Sequence, residues 1–300
     1  AHVIKTLQDN FTEATDPFYG SYGTPEALAT LVGMGHLGQK SKAGFFRKAG
    51  ADILRFDPDR KDYVPGGQKA DEIYSRILRK PAAERLKLLR ESTHPQGQFL
   101  WAILRNGFHY AAVHLAAIAD NARDVDFAMR WGFGMQQGPF ELWQEAGWLQ
   151  VARWVQEDID AGKALSRAPL PAWVFEGPVA EAGGVHTPQG SWNPTTGRFE
   201  PRRLLPVHAR QHFPESVLGS QAPRFETAGR TLHEDAGLRL WTLDGEVLVA
   251  SLKTKMHVMG PEVLAGLGRA VDLAQAQFQG LVVWSGDEPF SAGADLQALM

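Results

Sequence analysis

Cysteine is absent from this 300-residue sequence. That excludes disulfides, thiolate nucleophiles and zinc held by thiolates, and it agrees with a reducing, cytoplasmic setting. No apolar run reaches the roughly 18 residues that a membrane span needs, and no signal peptide is legible at the start. A surplus of positive charge is also missing. The formal net charge is −3 with no basic stripe, so a nucleic-acid surface is not expected. What is abundant is apolar: 44% of residues are hydrophobic, enough for the cores of about two domains. Neither end reads as a boundary. Residue 1 is Ala, "AHVIKTLQDN" resembles a running helix, and "SAGADLQALM" stops as a helix starts, so the expectation is an internal piece of a longer protein.

The pattern along the chain changes three times. Residues 1–50 read as helix, turn, helix and glycine loop. Residues 51–67, with Asp-Pro and Pro-Gly pairs, read as a connector. Residues 68–165 are helical by period, with a break before Pro81. Within them "QGQFLWAILRNGFHYAAVHLAAIAD" is apolar on most sides, Phe99, Ile103 and Ile118 included, which predicts a buried helix. Residues 166–223 are rich in Pro and Gly and read as a domain linker with a hairpin near "WNPTTGRFEP". From 224 apolar positions alternate around an Asp244-Gly245 turn, then follow a helix over 261–277, a buried strand "FQGLVVWSG" and a glycine turn. That order starts an α/β domain.

"GMGHLGQK", residues 33–40, matches the dinucleotide-binding pattern Gly-x-Gly-x-x-Gly. The pattern binds a pyrophosphate only between a strand and a helix. Here Thr24, Pro25 and Glu26 open a helix that runs through Leu28, Leu31 and Val32, and Gly33 stops it. Asp57 lies where a ribose-binding acid is expected, but inside a turn-rich stretch. The context predicts a glycine-rich loop closing a helix. His109 and His114 lie on a buried helix and read as hydrogen-bonded core residues. His208 and His212 stand four apart with no third ligand, so no metal site is expected. Trp131, Trp143, Trp148 and Trp154 read as core or interface anchors.

The strand-to-helix turn Ala292-Gly293-Ala294-Asp295 offers backbone N–H groups that could hold a developing oxyanion. The bland alternative is an ordinary connection with Asp295 near the helix cap. "FSAGADL", preceded by "LVVWSG" and "EVLAGLGRAVDLAQ", resembles the crotonase (enoyl-CoA hydratase/isomerase) superfamily. The resemblance implies that the Ala292 N–H is one arm of an oxyanion hole for a thioester carbonyl, with Gly293, Ala294 and Asp295 lining a CoA-binding turn. "SLKTKMHVMGPEVL" resembles the segment of that superfamily whose basic residue lies near CoA; Lys255 matches it, and Lys253 matches less well.

"DNARDVDFAMRWGFGMQQGPFELWQEAGW" (120–148) and "GHLGQKSKAGFF" (35–46) resemble the C-terminal helical domain of 3-hydroxyacyl-CoA dehydrogenases, which often occurs in tandem. The two resemblances imply a mainly α-helical domain like the C-terminal domain of 6-phosphogluconate dehydrogenase, a Pro/Gly-rich linker, and the first part of an α/β crotonase-like (ClpP/crotonase) domain. In domains this reads as the end of a first helical repeat (1–50), a connector (51–67), a second repeat (68–165), a linker (166–223) and the start of the crotonase-like part (224–300). They imply a bifunctional β-oxidation enzyme acting on acyl-CoA, with NAD bound by a Rossmann domain outside this chain. A homo-oligomer and a thiolase subunit are the partners implied. A crotonase-type isomerase or hydrolase fused to a helical dimerisation domain, and a non-catalytic scaffold, remain alternatives.

Overall fold

The computed structural model describes residues 2–67, 69–220, 225–296 and 298. The chain divides into two compact units, 1–203 with 217–221, and 204–216 with 222–300.

The first unit opens with α1 (His2–Asn10) and α2 (Glu26–Gly33). A three-stranded antiparallel sheet follows: β1 (Phe46–Ala49), β2 (Asp52–Asp57) and β3 (Asp62–Pro65). Leu31, Ala43, Phe56 and Tyr63 form its small core. The expected connector is therefore largely strand. Asp57 serves the β2–β3 turn, its carboxylate accepting the Asp59 and Arg60 N–H groups, each at 3.1 Å.

The helices α3 (Glu72–Ile77), α4 (Ala82–Glu91), α5 (Pro95–Ile118), α6 (Ala122–Phe133), α7 (Pro139–Glu145) and α8 (Trp148–Asp160) build the main core. The starts and stops follow from local chemistry. Pro139 opens α7, and left-handed Gly134 ends α6. Trp143 and Trp148 stack at 4.3 Å in the centre. The helix α5 is buried along one face only. Phe99 is 64% and Ile103 53% exposed, and Ile118 is exposed as well, which corrects the expectation of a helix buried all round.

The stretch 166–203, read as part of a linker, is folded into the same core. It carries α9 (Gly177–Ala182) and a second small antiparallel sheet, β4 (His186–Thr187), β5 (Gly190–Asn193) and β6 (Arg198–Glu200). Leu170, Val174, Val179, Val185 and Trp192 pack with the helices. Each reaches the core through its own turn, so no period links them in sequence.

In the second unit β7 (Arg230–Glu234), β8 (Leu238–Thr242) and β9 (Val247–Leu252) are antiparallel neighbours. The helix α10 (Pro261–Gln277) then crosses to β10 (Gly280–Trp284), which pairs with β9 in parallel. The sheet order is β10-β9-β8-β7. Two strands that run parallel need such a crossover, and α10 covers one face with Val263, Ala270 and Ala274 against Leu238, Leu240 and Leu248. Val282 and Val283 are exposed, so β10 is not the buried strand expected. The helix expected after Asp295 falls largely outside the described residues.

Candidate functional site

The turn singled out from the sequence, 291–295, lies beside residues 254–259 of the same unit. Backbone bonds lock the two segments together. Ala292 N–H donates to the Met256 carbonyl at 3.0 Å, Met259 N–H to Gly293 at 2.8 Å, and Asp295 N–H to Met259 at 3.1 Å. The Ser291 hydroxyl donates to the His257 carbonyl at 2.6 Å and accepts the Gly293 N–H at 3.0 Å. His257 completes the clasp, its Nδ1–H donating to the Pro289 carbonyl at 2.8 Å. Met256 and His257 both sit in the left-handed region, with φ of 55° and 52°. Two consecutive side-chain-bearing residues there store strain that the clasp must hold.

The sequence expectation put one oxyanion arm at the Ala292 N–H, which here donates to the Met256 carbonyl. Those of Gly293 and Asp295 are spent as well. Among the described residues, the Ala294 N–H has no acceptor, and Ala294 is exposed. The sequence showed four candidate donors at the turn; only the pairing with a segment 36 residues upstream selects among them.

Lys255 immediately precedes Met256, so the clasp carries it alongside the turn, where it is exposed and has no carboxylate partner among the described residues. Lys253 is engaged elsewhere, donating to Glu234 at 2.7 Å. That hydrogen bond and its charge hold the Glu234 carboxyl below its usual range.

The glycine loop 33–44 fails as a nicotinamide-nucleotide site on its own geometry. It follows α2, not a strand, and enters a three-residue 3-10 turn, Gln39–Ser41. Its Gly38 N–H is spent on the Ala43 carbonyl at 2.7 Å. The glycines serve a close crossing: a Cβ on Gly44 would lie 2.9 Å from the Gly38 Cα. The loop is therefore not the strand-to-helix turn on which a pyrophosphate sits.

The first unit holds a polar network that sequence reasoning missed. Gly138 has no side chain to cap α7, and Asp126 of α6 takes that place. Its Oδ1 accepts Phe140 N–H at 2.9 Å and its Oδ2 accepts Glu141 N–H at 3.1 Å. Glu141 reaches back to the Gly138 N–H at 3.0 Å, accepts Leu218 N–H at 2.9 Å and pairs with Arg130 at 3.3 Å. His186 joins from β4, its Nε2 at 2.7 Å from Asp126 Oδ2 and its Nδ1 at 2.9 Å from the Ser191 hydroxyl. Gln144 grips the His186 backbone at both N–H and carbonyl, each at 2.9 Å. Burial pushes the Asp126 carboxyl up, against the opposing pull of His186 and the Phe140 N–H. The residue types are those of a serine relay, but Asp126 and His186 side chains are fully buried and Ser191 is 1% exposed. No substrate reaches that hydroxyl, so the network ties β4 and β5 to α6 and α7. Asp126 and Glu141 lay in a quoted motif, but His186 sat in the glycine-rich stretch and gave no signal.

His109 and His114 are placed as expected, inside the first unit, but each has a partner distant in sequence. His109 Nε2–H donates to the Ala168 carbonyl at 2.7 Å, and its Nδ1 is buried without a partner among the described residues. His114 Nε2 lies 3.2 Å from Asp16 Oδ1. Burial opposes ionisation of Asp16, but the Tyr22 hydroxyl, the Phe18 N–H and His114 outweigh it and hold the carboxyl low. His208 Nδ1 accepts the Leu205 N–H at 3.1 Å. Among the described residues no three His, Asp or Glu side chains gather as a metal set, and no helix is long and apolar enough to cross a membrane.

Comparison with known proteins gives relatives over the whole chain. A "Probable 3-hydroxyacyl-CoA dehydrogenase" of Bacillus subtilis is 26% identical over 304 residues, covering 100% of this chain and 36% of the relative. A "Putative fatty acid oxidation complex trifunctional enzyme" of Rickettsia felis is 22% identical, covering 96% of this chain and 34% of its own. Its namesake in Rickettsia prowazekii is 20% identical, at 99% and 36%. The chain thus spans about a third of the length of the curated relatives it matches. No family model matches it. No solved structure matches it significantly.

Proposed function

We propose that this chain is a section of a fatty-acid β-oxidation enzyme of the 3-hydroxyacyl-CoA dehydrogenase type, joined to a crotonase-like part that acts on 2-enoyl-CoA. The observation that carries the first half is the whole-length similarity to the Bacillus protein, which runs through both units rather than stopping at either. NAD belongs to a part outside this chain; when bound, it takes the hydride from the 3-hydroxyacyl-CoA.

For the crotonase-like part, the supporting observation is the unpaired Ala294 N–H at the end of a strand–turn crossover. A backbone donor held rigid before substrate arrives stabilises charge that develops on a thioester oxygen, because no reorganisation is needed at the moment of reaction. In this reading water adds across the 2,3 double bond, the thioester oxygen gathers enolate charge, and Ala294 donates to it. The acid–base carboxylates are outside the described residues. Lys255 offers its ammonium to the CoA phosphates from the neighbouring segment. Gly293 and Asp295 shape the turn, and Ala292 holds it against Met256. The exposed apolar stripe of α5, Phe99, Ile103 and Tyr110, is consistent with a homo-oligomer.

The test is a structure of the protein bound to a 2-enoyl-CoA analogue, with NAD reduction by 3-hydroxyacyl-CoA measured alongside. The thioester oxygen is expected about 2.7–3.1 Å from the Ala294 nitrogen. An oxygen placed away from residues 291–295 would overturn the crotonase half. Failure of the intact protein to reduce NAD would overturn the dehydrogenase half.

A further inference from the structure

The Gly293 carbonyl and the Ala294 N–H belong to one peptide unit, and a trans peptide holds the two on opposite sides of the chain. The carbonyl is fixed, because it accepts the Met259 N–H at 2.8 Å. The N–H across the same plane therefore points away from the 254–259 segment. The pairing pattern gives the same direction. Met259 and Ala294 form a single parallel bridge, in which Met259 bonds to residues 293 and 295 and leaves the groups of Ala294 facing outward. How this one peptide plane is turned decides what the Ala294 N–H meets.

Glycine alone does not hold such a plane. Gly293 has a φ of 95°, and a Cβ placed there would meet nothing within 4 Å, so no neighbour hinders its rotation. The half-buried Ser291 supplies the restraint. Its hydroxyl accepts the Gly293 N–H at 3.0 Å and donates to the His257 carbonyl at 2.6 Å. Gly293 is thus tied at both ends, by Ser291 at its N–H and by Met259 at its carbonyl. The second bond of Ser291 holds His257, with its left-handed φ of 52°, in the segment that brings Met259 within reach.

We propose that Ser291 is a positioning residue for the oxyanion, an inference that rests on the crotonase-like reading above. It touches no substrate; it acts by fixing the Gly293–Ala294 plane with its N–H outward. Removing the hydroxyl frees the Gly293 N–H and the His257 carbonyl together. The plane is then able to turn its carbonyl toward the thioester oxygen. A repulsive oxygen replaces a donor where negative charge develops, which slows the chemical step and leaves binding of the CoA portion as it was.

Hydration of a 2-enoyl-CoA by the intact protein and by Ser291→Ala tests this, with the absorption of bound cinnamoyl-CoA as a second readout. That absorption moves to longer wavelength when the thioester carbonyl is polarised by a donor. Loss of an oxyanion donor costs about 10²–10³ in kcat. Ser291→Ala, which acts through the donor, is expected to lose at least tenfold in kcat with KM changed less than threefold, and to lose most of the red shift. Ser291→Cys keeps the shape with a weak donor and should move both readouts the same way, so it answers in place of an alanine variant that does not fold. Should the unaltered protein neither hydrate the enoyl thioester nor shift the probe, the crotonase-like reading fails and the role of Ser291 falls with it. Hydration by the unaltered protein with kcat and red shift preserved in the variants would overturn the role of Ser291 alone. So would a loss in which KM, kcat and unfolding midpoint change while the red shift stays.

Discussion

With both side chains fully buried, Asp126 and His186 depend on each other and on the backbone donors around them. Replacing His186 by Ala leaves the carboxylate in place without its closest partner, a change that costs about 3–5 kcal/mol in buried pairs. Ser191→Ala removes one neutral hydrogen bond and should cost about 1 kcal/mol. Urea unfolding of the two variants checks the difference; equal losses would mean that the pair is not what holds β4. His109 gives a pH prediction. Burial, together with Arg105 and His114, holds its pKa below the ordinary histidine value of 6.5. Protonating the buried Nδ1 would create a donor with no acceptor. As pH falls through 6.5, the unfolded chain takes a proton that the folded chain refuses, so stability falls by at most about 1.4 kcal/mol per pH unit. The contribution is lost between that value and the lower folded pKa. His109→Gln should flatten the slope of urea midpoint against pH between pH 7 and 5. At this scale the sequence was legible only where a partner is local. Asp57, serving its own turn, is such a case. Which N–H groups of the 292–295 turn find an acceptor, and the pairing of His114 with Asp16, depend on chain segments far apart, and no local pattern encodes them.

The junction of α6 and α7 explains a glycine that punctuation alone does not. A Cβ on Gly138 would lie 2.2 Å from Asp126 Oδ1 and 2.3 Å from its Cα. Gly138→Ala must push α7 off its borrowed cap, and should cost roughly 2–3 kcal/mol in thermal or urea unfolding. Gly134→Ala, with open space around it but a left-handed φ of 66°, should cost less, about 1 kcal/mol. A larger loss at Gly134 would contradict the capping account. Elements with a strong period or a defined turn were readable. The hairpin β8–β9, the helix α10 and the breaks at Pro81 and Pro139 are where periodicity and proline chemistry put them. The helix α5 shows the limit. Its period tells which residues share a face, but not which faces are covered, and Phe99 and Ile103 are left open. Val174, Val179 and Trp192 show another, because core residues delivered singly by turns look like linker.

At the scale of the molecule, the change in pattern along the sequence announced two kinds of architecture. The structure divides the chain into a mainly helical unit and a smaller α/β unit, although 166–203 joins the helices rather than bridging to the sheet. The similarity to the Bacillus relative extends across both units at 26%, so the pair travels together in at least one other protein. The outermost position of β10 has a practical consequence. Among the described residues no strand lies on the outer flank of β10, and Val282 is 46% exposed beside it. Such a rim is a template on which a second molecule can lay its own strand. Light scattering should therefore find solutions of this chain growing larger species as they are concentrated, and Val282→Lys should suppress that growth by putting like charges on both sides of the seam.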